Sequence, residues 1–289
     1  MTGGMEDREH ARELLRGGYE MHAHTAPSHY GRRFDDFEYA RELDRYGMAG
    51  SIIKTHFGST TARAALVNKH AGCQARLYGE ITLDWAVGGL NPLAVRSELL
   101  LGGRVVFMPT FHARANQIAT NHKPQPVMGP GITVLDERDE LLPVVYEIMD
   151  VVKEFNAVLA TGHLSAKESC ILAARGLERG VTMMLTHPDS ATENIPVERQ
   201  AELARKGAYV EKCWLNVIKG AVTAEEMARR IKTISPERCV LTTDLGQKQF
   251  TPPAEGMLDF IESLLRNGVD DRHIIQMVRT NPQYLLRVE

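Results

Sequence analysis

The stretch that decides the fold runs from residue 157 to residue 187 and reads AVLATGHLSAKESCILAARGLERGVTMMLTH. Two short apolar runs, 157–163 and 182–187, flank a segment with a helical pattern that ends at Gly180. A glycine in that place is typical of a left-handed helix cap. An alternation of strand, helix and strand is expected of a parallel sheet built from βα units.

The same unit recurs along the whole sequence. Helical patterns follow the apolar runs, as in Asp35 to Tyr46 and Gly256 to Leu265, where apolar residues recur every three or four positions. Eight βα units in about 250 residues predict an α/β fold, a (β/α)8 TIM barrel, with a doubly wound open sheet as the alternative. The predicted strands lie at 19–25, 50–56, 76–83, 104–110, 157–163, 182–187, 208–214 and 239–245.

Three segments lie outside the repeated units. Asp7 to Leu15 is a predicted extra N-terminal helix, and 270–287 is a predicted final helix pair broken at Pro282, which lacks an amide proton. The connection after the fourth strand, residues 111–137, is rich in Pro, Gly and Asn, and we predict a lid-like insertion there. None of these segments resembles a separate domain, so one domain is expected over residues 1–289.

The composition excludes several classes of protein. With 43% hydrophobic and 25% charged residues, the chain matches a globular protein, and a net charge of −3 argues against a nucleic-acid partner. No apolar stretch reaches the roughly 18 residues of a membrane span, and the first residues do not resemble a signal peptide, so we expect a cytoplasmic protein without a membrane partner.

Barrels of this kind often associate, which makes a homo-oligomer an expectation. The cysteines are far apart, at Cys73, Cys170, Cys213 and Cys239, and form no C-x-x-C pair.

Polar residues end four of the predicted strands. Catalytic residues of parallel barrels lie at the C-terminal strand ends. The first strand ends in His22 and His24, which face the same side because strand side chains alternate, and strands five, six and eight end in His163, His187 and Asp244. Taken singly, His187 could be a rim histidine bonded to a carbonyl group, and Asp244 could cap the following helix. Together they predict a divalent metal site.

These strand ends resemble those of the amidohydrolase superfamily, a group of metal-dependent barrel hydrolases, and the resemblance covers nearly the whole chain. The segment Arg279–Pro282 is similar to an Asn-Pro element in the last helices of many members. The phrases MHAHTAPS, IIKTHFGST, VGGLNP, FMPT and TGHLS are similar to bacterial cytosolic proteins known only as amidohydrolase-like.

The resemblance implies a set of metal ligands. His22, His24 and Asp244 would bind a first divalent ion, and His163 and His187 would bind a second. In a mononuclear member, His163 would bind the first ion and His187 would act nearby. The expected cofactor is therefore one or two zinc ions, with manganese as the other choice.

The ligand that would bridge two ions is not the usual one. Many binuclear relatives use a carboxylated lysine at the end of strand four, but here that strand ends in Met108–Thr110, without lysine or acid. Glu80, which resembles the strand-three glutamate of TatD-like nucleases, is the predicted bridge, and an acid paired with a neighbouring base is its alternative. Lys54 could bridge only after carbamylation, since it is otherwise cationic.

Several further residues are predicted to contact substrate. Lys54 and His56 are two positions apart and face the same side, so we assign both to substrate contact and catalysis. The alternatives are a less usual set of metal ligands and a solvated rim. Arg32 and Arg33 could hold a substrate carboxylate or phosphate, and Arg33 is the one that we assign to substrate binding. The remaining candidates are His112 on the long loop and Glu211 at the end of strand seven. Asp84 and Trp85 are expected to line the same opening of the barrel.

The resemblance implies a metal-dependent hydrolase acting on a small molecule. Asp244 would take the proton of the attacking water, and Lys54, His56 or His112 would stabilise the oxyanion. Cyclic amides, lactones and related small anionic carbonyl compounds are the expected substrates. The alternatives are a mononuclear zinc decarboxylase, a TatD-like phosphodiesterase, which the negative charge disfavours, and a catalytically silent binding barrel.

Overall fold

The structure is a computed structural model that describes residues 3–288, with side chains from residue 6. The chain forms two compact units. The first comprises the residues up to Ile53, Arg63–Tyr78 and the residues from Lys212 onward, and the second comprises Lys54–Ala62 and Gly79–Glu211.

Strands and helices alternate along the chain, as the sequence predicts. The strands are β1 (Tyr19–His24), β2 (Gly50–Lys54), β3 (Gly58–Ser59), β4 (Arg76–Tyr78), β5 (Glu80–Thr82), β6 (Val105–Phe107), β7 (Val158–Ala160), β8 (Thr182–Leu185), β9 (Tyr209–Cys213) and β10 (Cys239–Thr242). The helices are α1 (Gly3–Leu15), α2 (Asp36–Arg45), α3 (Thr61–His70), α4 (Pro92–Leu100), α5 (Arg114–Ala119), α6 (Pro143–Glu154), α7 (Ala166–Glu178), α8 (Val197–Arg205), α9 (Trp214–Ile218), α10 (Ala224–Ile234), α11 (Pro253–Arg266), α12 (Asp271–Ile275) and α13 (Asn281–Leu286).

The first unit contains a small sheet with the strand order β1-β2-β4. Strands β2 and β4 are parallel, with Gly50 opposite Arg76. The chain that follows β10 runs beside the end of β1, where the amide of Asp244 donates to the carbonyl of His22 at 2.9 Å. This pairing brings the last strand of the sequence to the first.

The second unit contains strands in the order β9-β8-β7-β6-β5-β3. Strands β5 to β9 are parallel, while β3 pairs with β5 in the antiparallel direction. Residues of β6 and β7 are fully buried, which explains why these parallel strands are continuous apolar runs in the sequence. Strand β5 is also buried, although it contains Glu80 and Thr82.

The predicted helices have the expected places. The stretch from Asp35 to Tyr46 forms α2, with these two residues as caps, and the Asp35 carboxylate accepts a hydrogen bond from the amide of Glu38. Helix α11 contains the predicted segment Gly256 to Leu265 but begins at Pro253, because proline is well tolerated in a first helical turn. The predicted N-terminal helix lies within α1.

The prediction of one strand over 76–83 is wrong, because the chain forms two strands there, β4 in the first unit and β5 in the second. They are separated at Gly79. A Cβ atom at this position would lie 2.2 Å from Thr61 Cα, so only glycine permits the close approach of the two backbones.

The prediction that the final helices break at Pro282 is also wrong in position. A π-helical turn, Gln276–Thr280, already separates α12 from α13 upstream of the proline. Pro282 lies in the first turn of α13, where the missing amide proton costs no intrahelical hydrogen bond.

The long connection after β6 contains regular structure. It includes α5 and a parallel bridge between Ala113 and Ile132, and its Val134 is fully buried. Packing of this kind gives the segment more order than a purely polar loop, and its role as a lid stays a prediction.

Across residues 3–288, no helix is both long enough and apolar enough to span a membrane. The cytoplasmic location and the homo-oligomer stay predictions from the sequence.

Candidate metal-binding residues

Two histidines at the end of β1 face the carboxylate of Asp244. His24 Nε2 lies 2.9 Å from Asp244 Oδ1, and His22 Nε2 lies 3.5 Å from the same oxygen. Both imidazole side chains are 1% exposed, whereas the side chain of Asp244 is 19% exposed. Three groups of the types that bind zinc therefore converge inside the first unit, with the carboxylate as the most accessible member.

The local backbone explains this convergence. The amide of His24 donates to the carbonyl of Leu245 at 2.8 Å, so the chain after β10 lies against the end of β1. Gly246 has a φ of 131°, and a Cβ atom there would lie 1.8 Å from His24 O, so this approach requires glycine. Asp244 itself has a φ of 55°, in the left-handed region that aspartate tolerates better than most residues.

Glu20 is a functional candidate that the sequence reasoning missed. Its Oε1 accepts a hydrogen bond from the amide of His22 at 2.7 Å, and its Oε2 accepts one from the amide of Thr243 at 3.0 Å. The signal was present, because Glu20, His22 and His24 follow the same period of two and share one face of β1. Glu20 thereby positions both backbone segments that carry the potential ligands, the end of β1 and the chain that precedes Asp244.

A second group of potential ligands lies within the second unit. His163, His187 and Glu193 are buried, and one ligand atom from each lies within 4.8 Å of the other two. The sequence predicts the two histidines but not Glu193. His163 Nδ1 lies 3.2 Å from Asn116 Oδ1, which acts as an acceptor that orients the ring.

The ends of β7 and β8 are held together by two threonines that precede the histidines. The Thr186 amide donates to Thr161 Oγ1, and the amide of Gly162 donates to Thr186 Oγ1, each at 3.0 Å. Glu211, a predicted substrate contact, accepts a hydrogen bond from the amide of His187 at 2.9 Å. Its carboxylate therefore positions the backbone of a candidate ligand, and its contact with substrate stays a prediction.

Asp84, which the sequence places near the site without a role, organises the chain after β6. Its fully buried carboxylate accepts hydrogen bonds from the amides of Thr110, Phe111 and His112, and from Thr110 Oγ1 at 2.6 Å. Because the hydroxyl proton of Thr110 goes to Asp84, its oxygen accepts from His56 Nδ1, 3.0 Å away. His56 then carries its proton on Nδ1 and its lone pair on Nε2.

His112, predicted to bind substrate, uses both ring nitrogens within its own unit. The Trp85 amide donates to Nδ1 at 3.2 Å, and Nε2 donates to the carbonyl of Val127 at 2.9 Å. These hydrogen bonds connect three parts of the chain, so the structure explains the position of His112 without a ligand. Its role in binding stays a prediction.

Glu80 and Lys54, the two candidate bridging residues, are buried in the second unit. Glu80 accepts hydrogen bonds from the amide of Thr55 at 2.7 Å and from Thr82 Oγ1 at 2.9 Å. Burial raises the pKa of Glu80 to about 8, although the positive charge of Lys54 acts in the opposite direction. Lys54 Nζ also lies 4.6 Å from the centre of the Phe107 ring. The effect of the Lys54 charge on Glu80 fits the alternative of an acid beside a base, and metal bridging stays a prediction.

The two adjacent arginines differ in environment. Arg33 is exposed and donates to the carbonyl oxygens of Lys248 and Phe250, at 2.7 and 2.8 Å, which ties two loops together. Arg32 is 8% exposed, and burial lowers its pKa while the charge of Asp244 partly restores it. Because the guanidinium of Arg33 already donates to two backbone carbonyl groups, Arg32 is the better candidate for binding an anion, although no sequence pattern distinguishes it from its neighbour.

The fold is shared with several solved structures. An amidohydrolase from Pseudomonas aeruginosa has a TM-score of 0.63 at 14% identity, covering 96% of this chain and 98% of that one. A 2,6-dihydroxybenzoate decarboxylase from Rhizobium has a TM-score of 0.59 at 13% identity, covering 95% of this chain and 99% of that one. An organophosphate hydrolase engineered from a weak promiscuous lactonase has a TM-score of 0.58 at 15% identity, covering 94% of this chain and 96% of that one.

These similarities confirm the fold class: the chain has the α/β TIM-barrel fold of amidohydrolase-superfamily structures. The family of unknown function DUF6282 matches residues 17–211, and the chain belongs to that family. No curated protein sequence matches the chain significantly.

Proposed function

We propose that this protein is a metal-dependent hydrolase that acts on a small cyclic amide, lactone or related anionic carbonyl compound. The observation that carries the proposal is the approach of Asp244 Oδ1 to both His24 Nε2 and His22 Nε2, at 2.9 and 3.5 Å. Two of the similar structures are an amidohydrolase and a lactonase-derived hydrolase, which supports the same class of reaction.

The residues of the first unit fit a divalent metal ion. Two buried imidazoles and one carboxylate form a donor set that suits zinc, and also manganese. His163 and His187 of the second unit are proposed ligands of a further ion.

A bound divalent ion would supply Lewis acidity, which lowers the pKa of water and polarises the scissile carbonyl group. Asp244 would take the proton from the attacking water and deliver it to the leaving group, because its carboxylate is the most exposed member of its cluster. Glu20 would hold the backbone of His22 and Thr243 in place. Arg32 would bind an anionic group of the substrate, and Lys54 and His56 stay predicted substrate contacts.

Metal analysis of the purified protein tests the proposal. We expect one or two equivalents of zinc or manganese in the wild-type chain and the loss of at least one equivalent in His22→Ala/His24→Ala. His10→Ala is the matched control, because His10 is an exposed residue of the N-terminal helix that pairs with Asp271. A wild-type protein without metal, or a double variant with unchanged metal and turnover, would favour a silent binding barrel.

The reaction itself is tested by a screen of lactones, cyclic imides and phosphoesters with the metal-loaded protein. Hydrolysis of a lactone or imide is the expected result, and phosphodiester cleavage alone would instead favour the TatD-like alternative.

A decarboxylase is the second candidate, because one of the similar structures is a 2,6-dihydroxybenzoate decarboxylase. A mononuclear decarboxylase would hold one ion per chain and release carbon dioxide from an aromatic acid. Two ions per chain, with no release of carbon dioxide, would contradict it.

A further inference from the structure

Glu193 is a buried carboxylate in the turn that follows β8. Glu193 is 2% exposed, and within residues 3–288 neither of its carboxylate oxygens has a hydrogen-bond partner. Glu193 Oε2 lies 3.4 Å from His187 Nδ1. A buried carboxylate without hydrogen bonds is costly, and a cation bound to it would offset that cost.

The turn itself holds Glu193 against His187. The amide of Ser190 donates to the carbonyl of His187 at 3.0 Å, and the amide of Ile195 donates to the carbonyl of Pro188 at 2.9 Å. His187 has a φ of 25°, in the left-handed region that is uncommon for residues other than glycine. Strained backbone of this kind persists where the surrounding structure enforces it, and it is concentrated at functional sites.

The geometry of the three side chains is close to that of a metal site. One ligand atom each from His163, His187 and Glu193 lies within 4.8 Å of the other two. Ligand atoms that are each about 2.1 Å from a tetrahedral zinc ion are about 3.4 Å apart, which is the distance between His187 Nδ1 and Glu193 Oε2. Asn116 Oδ1 accepts from His163 Nδ1, which directs the lone pair of Nε2 toward a ligand role.

We propose that Glu193 is a metal ligand, and that it forms with His163 and His187 a His-His-Glu site for zinc or a similar divalent ion. The proposal rests on the metal-dependent function proposed above and adds the carboxylate that neither the sequence pattern nor the resemblance assigns. It also gives the ion held by the second unit a ligand set that needs neither Glu80 nor a carbamylated Lys54.

Zinc affinity, measured by competition with a chromophoric chelator, tests the proposal. We expect Glu193→Gln to weaken the binding of one zinc equivalent by at least about 100-fold, because an amide oxygen is a much poorer zinc ligand than a carboxylate. His187→Ala should weaken the same equivalent. Glu198→Gln is the matched control, because Glu198 is exposed on α8 five residues further on, and the zinc affinity of this variant should equal that of the wild type.

The same variant also separates a ligand from a residue that merely orients His187. The amide oxygen introduced by Glu193→Gln can still accept a hydrogen bond from His187 Nδ1, so a purely orienting role would survive the substitution. A loss of less than about 100-fold in zinc affinity would therefore overturn the ligand assignment, because residues that only orient a ligand have effects of about 10- to 100-fold.

Cobalt substitution gives a second readout that does not depend on turnover. The visible absorption of Co²⁺ reports coordination number and ligand type, so we expect Glu193→Asp and Glu193→Gln to change the spectrum of one cobalt equivalent. Glu193→Asp keeps the charge and is the variant of choice if Glu193→Gln fails to fold. An unchanged cobalt spectrum in folded Glu193→Gln, or in a folded Glu193→Asp whose cobalt affinity is also unchanged, would overturn the proposal.

The outcomes distinguish this inference from the proposed function. If wild-type protein binds neither zinc nor cobalt, the metal-dependent function itself fails. If it binds metal and the Glu193 variants bind equally well, only the ligand role of Glu193 fails.

Discussion

The carboxylate of Glu20 in β1 accepts hydrogen bonds from the backbone amide of Thr243, which lies 223 residues further along the chain. The distances are 3.0 Å to Oε2 and 3.2 Å to Oε1. Because Oε1 also accepts from the amide of His22, one buried side chain joins the two backbone segments that carry His22, His24 and Asp244. The positions of these potential ligands therefore depend on a residue that would not itself bind metal.

We predict that Glu20→Ala destabilises the protein by about 1–3 kcal/mol, because it leaves the buried amides of His22 and Thr243 without this acceptor. Urea unfolding followed by circular dichroism measures this loss. Metal affinity should fall by about 10- to 100-fold as well, since residues that orient ligands have effects of that size.

The exposed Glu198 provides the comparison for that prediction. Glu198→Ala should change the free energy of unfolding by less than about 0.5 kcal/mol. Equal stability of the two variants would contradict the prediction and show that the amides of His22 and Thr243 bind water or other acceptors when Glu20 is removed.

The strands were predicted well because parallel strands are buried on both faces and appear as short apolar runs. The division of the predicted strand over 76–83 into β4 and β5 could not be predicted. That division depends on the approach of Thr61 to Gly79, a contact between residues distant in the sequence that no local pattern reveals. The π-helical turn at Gln276–Thr280 was missed for a similar reason, since a local pattern of apolar residues does not distinguish it from an α-helix.

The positions of the histidines at strand ends were predictable, because a period of two determines which face their side chains share, while their roles as ligands stay predictions. Glu193 was not, because its place beside His187 depends on the backbone path of a turn. The choice between Arg32 and Arg33 also depends on loop conformation, which buries one side chain and exposes the other. Residues on regular elements were therefore easier to assign than residues on loops.

We predict that Asp244→Asn binds metal more weakly, because an amide oxygen is a poorer ligand, but stays loaded when metal is in excess. Under those conditions kcat should fall by about 100- to 10,000-fold, the range expected when a general base is lost. Asparagine keeps an oxygen close to His22 and His24 but cannot accept the proton of water at neutral pH. Metal content and kcat, measured on the same preparation, test both parts. Full activity in this variant would rule out proton transfer by Asp244.

We predict that Arg32→Gln raises KM for an anionic substrate by about 10- to 100-fold, the effect of losing one hydrogen bond to a charged group. The change in kcat should be smaller, and a neutral analogue of the same substrate should be unaffected. Steady-state kinetics with both substrates test this. Arg33→Gln decides between the two arginines. A larger rise in KM for Arg33→Gln than for Arg32→Gln would support the assignment of Arg33 made from the sequence and contradict the assignment of Arg32.

We predict that Glu42→Gln stabilises the protein increasingly as the pH rises from about 4.5 to 7. Glu42 in α2 is 2% exposed, and burial raises its pKa to about 7 from an ordinary value of 4.5. Because the folded state holds this proton more tightly than the unfolded chain, the stability that Glu42 contributes is fully present below pH 4.5 and is lost as the pH rises through 7. The corresponding free energy is about 3 kcal/mol. Urea unfolding of both proteins at pH 5, 6, 7 and 8 should show a stability difference that grows to this size and then levels off, whereas the surface variant Glu198→Gln should show none. A difference that is the same at every pH would mean that Glu42 ionises in the folded protein as it does in water.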